Sequence, residues 1–141
     1  MSCEYEWGQC GVTRKHRGIL RSQDIIAAKL TTESHVHFGE LRWMISDLLD
    51  VEDVVVDDEA LEQVIAGAIG ASYTNNQIRI AIVARHPKVI ELANLFSEAV
   101  RCYQIRLFSN MPDAKRWVGV QPSDDSCPDF PSCLIVEPVR P

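Results

Sequence analysis

Hydrophobic and polar positions switch between two periods along this chain, and the switches lay out its elements. Cys3, Tyr5 and Trp7 alternate with Glu4 and Glu6, the period-two pattern of a half-buried strand, and a second strand is predicted over 11–17 beyond Gly8-Gln9. Gly18 breaks that run. Ser22 is placed to cap a short helix with an apolar stripe of Ile25, Ile26 and Leu30. After a loop at 33–40, the run Leu41 to Leu49 centres on Trp43, Met44 and Ile45; it is short for a helix and reads as a buried strand. Asp57 or Asp58 caps the next helix, whose Leu61, Val64, Ile65 and Ala68 share one face, and Tyr73 to Asn76 ends it in turn residues. Ile78 to Ala84 is the plainest strand. Pro87 suits a helix start, and Val89, Leu92, Ala93, Phe96 and Val100 line that helix. Tyr103 to Phe108 is again β-rich, and Ser109 or Asn110 caps a last short helix with Ala114, Trp117 and Val118.

The order is therefore strand, strand, helix, then strand and helix three times. Alternation of this kind predicts an α/β domain: a mixed, mostly parallel sheet of about five strands with four helices over its faces. One domain is expected over 1–120, followed by an extended tail at 121–141 that is rich in Pro, Asp and Ser. Within the tail, Leu134-Ile135-Val136 is the one strand-like segment. No internal repeat is visible.

Composition narrows the functional classes. Hydrophobic residues make up 46% of the 141 and charged residues 24%, an ordinary globular balance that supports a real core. No apolar run is long enough to cross a bilayer, and the first residues lack the basic start and apolar stretch of a secretory leader, so a cytoplasmic protein off the membrane is expected. The net charge of -6 opposes binding to a phosphate backbone, so no nucleic-acid partner is expected. The five cysteines show no Cys-x-x-Cys pair and read as free thiols. Cys3, Cys10, Cys127 and Cys133 are spaced too widely for the common zinc knuckles. Neither a metal nor a cofactor is expected.

Three stretches resemble the STAS-like (SpoIIAA-like) proteins, a group named for sulfate transporters and anti-sigma-factor antagonists. They are His37 to Leu48, Ile78 to Ala84, and Leu107-Phe108 followed by Ala114-Lys115-Arg116-Trp117-Val118. Together they cover about residues 11–119, and the similarity is greatest to the branch of small bacterial proteins of unassigned function. The resemblance implies a SpoIIAA-like fold and, through related folds, room for apolar or anionic ligands between sheet and helices. Anti-sigma antagonists of the group are switched by phosphorylation of a Ser at the start of the helix after a central strand. The equivalent stretch is taken as Asp47 to Val54, which has no Ser or Thr, while Ser46 lies inside the predicted strand. The phosphoswitch is not carried over.

Charged and titratable clusters supply the remaining candidate chemistry. The acids at 47, 50, 52, 53, 57, 58, 59 and 62 have no Lys or Arg among them. A cation site or basic docking face is one reading; acids gathered at a helix N-terminus, favoured by its dipole, is the preferred one. Arg14-Lys15-His16-Arg17 with Arg21 could recognise an acidic ligand or nucleic acid; a solvated strand face that partly balances those acids is the preferred reading. In a parallel sheet, ligands bind where strand ends meet helix starts; that edge is expected to present Asp50, Arg85, His86, Ser109 and Asn110, an arrangement that would attract an anion. Gly-rich phosphate loops and Gly-x-Ser-x-Gly are absent, and His35 with His37 supplies too few ligands for a closed metal site.

No catalytic constellation emerges. The expected function is a non-catalytic regulatory module acting through a protein partner. The alternative is a protein that binds a small anionic or lipid-like molecule. A homodimer through an edge strand or the tail is also expected.

Overall fold

The computed structural model describes residues 3–119, so the expected tail at 121–141 lies outside the described residues. β1 (Cys3–Trp7) turns back into β2 (Gly11–Arg21), and α1 (Ser22–Glu33) leads through a 3-10 turn at Phe38–Glu40 to β3 (Trp43–Val55). There follow α2 (Asp58–Ala71), β4 (Arg79–Val83), α3 (Pro87–Ala99), β5 (Gln104–Phe108) and α4 (Met111–Val118). The strands lie side by side in chain order, with β1 antiparallel to β2 and each later neighbour parallel. The expected class, a mostly parallel α/β sheet of five strands with four helices, is the one observed.

Connectivity decides which face each helix covers. Parallel strands laid down in chain order and joined by crossovers of one hand carry all their crossover helices on the same side. α1, α2 and α3 accordingly pack over Val12, Leu20, Met44, Leu48, Ile80 and Ile82. α4 follows β5, the last strand among the described residues, and covers Ile45, Ala81 and Val83 on the opposite face.

Three local expectations are corrected. Gly18 does not end β2; its φ of 74° lies in the left-handed region open to glycine, and the strand runs on to Arg21 through a register shift. Ser22 is the first helical residue rather than the cap. The Arg21 amide donates to Asp24 Oδ2 (2.9 Å), while Ser22 Oγ accepts from the Asp57 amide (3.1 Å). β3 does not stop at Leu49 but continues to Val55, with two register shifts against β2. At the first shift Asp47 Oδ1 accepts from the Leu49 amide (3.2 Å). Acids 47, 50, 52 and 53 therefore belong to a strand, and only Asp57, Asp58 and Glu59 serve a helix start as expected. Asp57 Oδ1 accepts from the Ala60 amide (2.7 Å) there.

Trp43 locks the other end of β3. Its indole lies flat on Gly11, where an added Cβ would come within 1.8 Å of the ring.

Candidate functional site

Side chains alternate across β2, so Arg14 and His16 share a face with Val12 and Leu20 and point under α1 rather than into solvent. Lys15 and Arg17 point the other way. Lys15 Nζ pairs with Asp50 (3.2 Å) and Asp47 (3.7 Å), and Arg17 pairs with Glu4 (3.2 Å). The basic stretch is therefore a solvated strand face only at its odd positions, and its even positions are in the interior.

A cavity of about 130 Å³ lies between this face of the sheet and helices α1 to α3. Its origin is visible in α2, whose only fully buried side chains are those of Ala60 and Ala68; Leu61, Val64 and Ile65 keep part of their surface exposed. Small residues at the contact points leave the sheet incompletely filled. Ile78, Ile80, Ala68, Ala93, Phe96 and Tyr103 make one end apolar. The other end, from β2, β3 and α1, carries Arg14, His16, Ser46, Thr32, Lys29 and Glu33.

The polar end is only partly satisfied. Arg14 Nη1 donates to Thr32 Oγ1 (3.3 Å) and Nη2 to Ser46 Oγ (3.0 Å), but its buried Nε has no partner. Thr32 in turn donates to the Ala28 carbonyl (2.8 Å). Burial lowers the pKa of Arg14. His16 is 6% exposed, and neither ring nitrogen has a hydrogen-bond partner. Burial first, and then the charge of Arg14, pushes the His16 pKa down to about 4, so the ring is neutral near pH 7. Lys29 and Glu33 bond to each other one helical turn apart, and burial lowers the Lys29 pKa against that pairing.

Of the expected strand-end residues, Arg85, His86, Ser109 and Asn110 lie at the adjacent ends of β4 and β5, each with a local contact. Asp50 lies inside β3, whose end is Val55, and pairs with Lys15. Arg85 and Ser109 do meet, Arg85 Nε donating to the Ser109 carbonyl (2.9 Å). His86 caps α3, its Nδ1 accepting from the Lys88 amide (3.1 Å), and Asn110 caps α4, its Oδ1 accepting from the Asp113 amide (2.8 Å). Nearby, Lys88 bonds to Asp53 (3.0 Å), which lowers the Asp53 pKa. In the loop pair, His35 stacks on Trp7 at 3.7 Å between ring centroids and His37 sits 3.3 Å from Glu40. No group of three metal-binding side chains forms among the described residues, and Cys127 and Cys133 lie outside them.

Sequence reasoning did not bring Arg14, His16, Ser46 and Thr32 together, although the parity of β2 carried the signal. Val12, Arg14, His16 and Leu20 are all even-numbered, as are Met44, Ser46 and Leu48, and Arg14 is the register partner of Ser46. Polar residues at core-face positions on two adjacent strands mark a built polar pocket.

No family model matches the sequence, and no curated protein matches it. Solved structures do match. One is the anti-sigma factor antagonist SpoIIAA in its unphosphorylated form, with a TM-score of 0.58 at 10% identity over 84% of this chain and 100% of that one. The fold is STAS-like. A second match is an uncharacterised protein of the DUF3478 family with a SpoIIAA-like fold, from Shewanella loihica, with a TM-score of 0.50 at 13% identity over 83% of this chain and 92% of that one. The stretch expected to match a helix start is not helical. Asp47 to Val54 is strand, and α2 begins at Asp58 behind its cap Asp57, with no Ser or Thr over 57–60. Among the described residues, no helix of this STAS-like domain is long and apolar enough to cross a membrane.

Proposed function

We propose that this chain is a non-catalytic binding module of STAS-like fold that takes a small, largely apolar molecule into the cavity beneath α1, α2 and α3. The observation that carries this reading is the cavity itself: about 130 Å³, bounded by the sheet and three helices, with aromatic side chains at one end and polar ones at the other. Empty cavities of about this size lined by apolar side chains accept ligands as large as benzene. The histidines support the non-catalytic part of the reading, since His35, His37 and His86 are engaged in stacking, a carboxylate contact and a helix cap.

Titration of the full chain with toluene, followed by amide NMR, tests this. Resonances of Ala68, Ile80 and Ala93 should shift together and saturate. A titration that leaves them unmoved up to the solubility limit of toluene would contradict the proposal.

A second reading, a regulatory contact with a protein partner, is favoured by the likeness to an anti-sigma factor antagonist. It is compatible with ligand binding, because a filled cavity would reset the positions of α1 to α3. Homodimerisation through the β1 edge belongs to the same reading. Light scattering of the full chain with and without toluene tests it; a monomer under both conditions would remove the dimer.

A further inference from the structure

The polar end of the cavity holds a guanidinium with no carboxylate in ion-pair contact among the described residues. We infer that the ligand is a compact monocarboxylate with an apolar body, either aromatic or short and aliphatic. Its carboxylate would lie against Arg14 Nε and the His16 ring, with its body between α2 and α3. This inference rests on the reading that the cavity is a binding site, and it adds the chemical class of the occupant.

A guanidinium stays charged inside a protein, and a buried charge is costly unless paired. Arg14 meets two hydroxyls, those of Thr32 and Ser46, and has no carboxylate in ion-pair contact among the described residues. Among the described residues Glu33 is the one acid lining the cavity; it is bonded to Lys29 and acts on Arg14 without contact. Asp24, also buried, holds the Arg21 amide and does not line the cavity. With Lys29 and Glu33 paired and His16 neutral, Arg14 is left as the lining cation with no carboxylate in contact among the described residues.

That charge sets the valence of the ligand. A single carboxylate cancels it, whereas a phosphate dianion would leave an extra negative charge in an apolar enclosure. The free donors set the geometry. Arg14 Nε lacks a partner, and its two terminal nitrogens each spend one N–H, so a carboxylate can accept two N–H groups from the guanidinium edge. The unpartnered His16 ring, which lines the same end, offers a further donor or acceptor. Cavity volume sets the size, since about 130 Å³ admits a ring or a short branched chain but not a long acyl tail.

Benzoate and toluene share the ring and differ in the carboxylate, so comparing them on the full chain separates the two claims. The inference expects benzoate to bind about tenfold more tightly than toluene and to move the Arg14 Nε–H resonance in the wild-type protein. Arg14→Met should lose that advantage while still binding toluene. Arg85→Ala, at the exposed strand-end edge, should leave benzoate binding unchanged. Toluene binding as well as or better than benzoate, with the Arg14 Nε–H unmoved, would overturn the carboxylate assignment and leave the cavity reading standing. Benzoate binding that survives Arg14→Met or vanishes in Arg85→Ala would also overturn it. If neither probe binds, the cavity reading itself falls. Should Arg14→Met fail to fold, the wild-type Nε–H resonance decides.

Discussion

On the α4 face of the sheet, Ile45, Ala81 and Val83 meet Ala114 and Val118, and all five are 0% exposed. On the α1–α3 face the same sheet faces a cavity, two unpartnered histidine nitrogens and a half-buried guanidinium whose buried Nε has no partner. The cations differ as well. Arg79, beneath α4, donates to the Trp117 carbonyl (2.7 Å) and lies 5.1 Å from the centre of that indole, whereas Arg14 has only two hydroxyls. The side with one short helix is closely filled, and the side with three longer helices is not. The proposed binding falls to the α1–α3 face, which also holds the larger set of buried side chains, while α4 packs a smaller, wholly apolar cluster on the opposite face.

The largest effect should come from hollowing the filled face. Ile45→Ala is expected to cost about 3 kcal/mol of unfolding free energy in urea, because its neighbours are too closely packed to collapse onto the gap. Overfilling the same face with Ala114→Leu should cost about 2 kcal/mol. A loss below about 1 kcal/mol in both variants would show that this face is less tightly packed than its burial implies.

Removing the α2 cap comes next. Asp57→Ala withdraws the acceptor of the Ala60 amide and should cost about 1 kcal/mol by thermal or chemical unfolding. Since α2 roofs the cavity, weaker toluene binding is expected alongside the loss.

Acidification should weaken the cavity face through His16. An ordinary imidazole titrates near 6.5 and His16 in the fold near 4, so between those values the unfolded chain binds more protons. Stability contributed by keeping this ring neutral is present above pH 6.5 and is lost as pH falls toward 4. Urea midpoints at pH 7 and 5 should therefore lie further apart for wild type than for His16→Phe. Equal separations would contradict this account of His16.

The smallest effect is expected from filling the cavity. Ala93→Leu adds methyl groups where space exists and should change stability by less than about 1 kcal/mol, in contrast to Ala114→Leu, while abolishing toluene binding. A cost equal to that of Ala114→Leu would erase the distinction between the two faces.

The elements were legible in the sequence and the cavity was not. Ile78 to Ala84, Pro87 and Asn110 speak through local rules of alternation, helix starts and capping, and each element falls where those rules put it. The resemblance that suggested a STAS-like fold drew on the same core segments. Register is not local. β3 outruns β2 by two residues, 13 against 11, and the shifts that absorb them keep the acids of Asp50 to Asp53 in a strand that the sequence pattern ended at Leu49. Gly18 is a breaker by composition but a bend in context. Arg14 and His16 were hidden for a related reason: four consecutive basic or titratable residues read as one solvated cluster unless β2 is assigned its parity. Their inward direction depends on which face α1 crosses, and topology alone decides that.

A crystal structure of the chain with benzoate tests the central claim most directly. The account predicts density for the ring between the sheet and helices α2 and α3, with the carboxylate within hydrogen-bond distance of Arg14 Nε. Density confined to the outer surface, or a closed wall of side chains where the cavity should be, would contradict it.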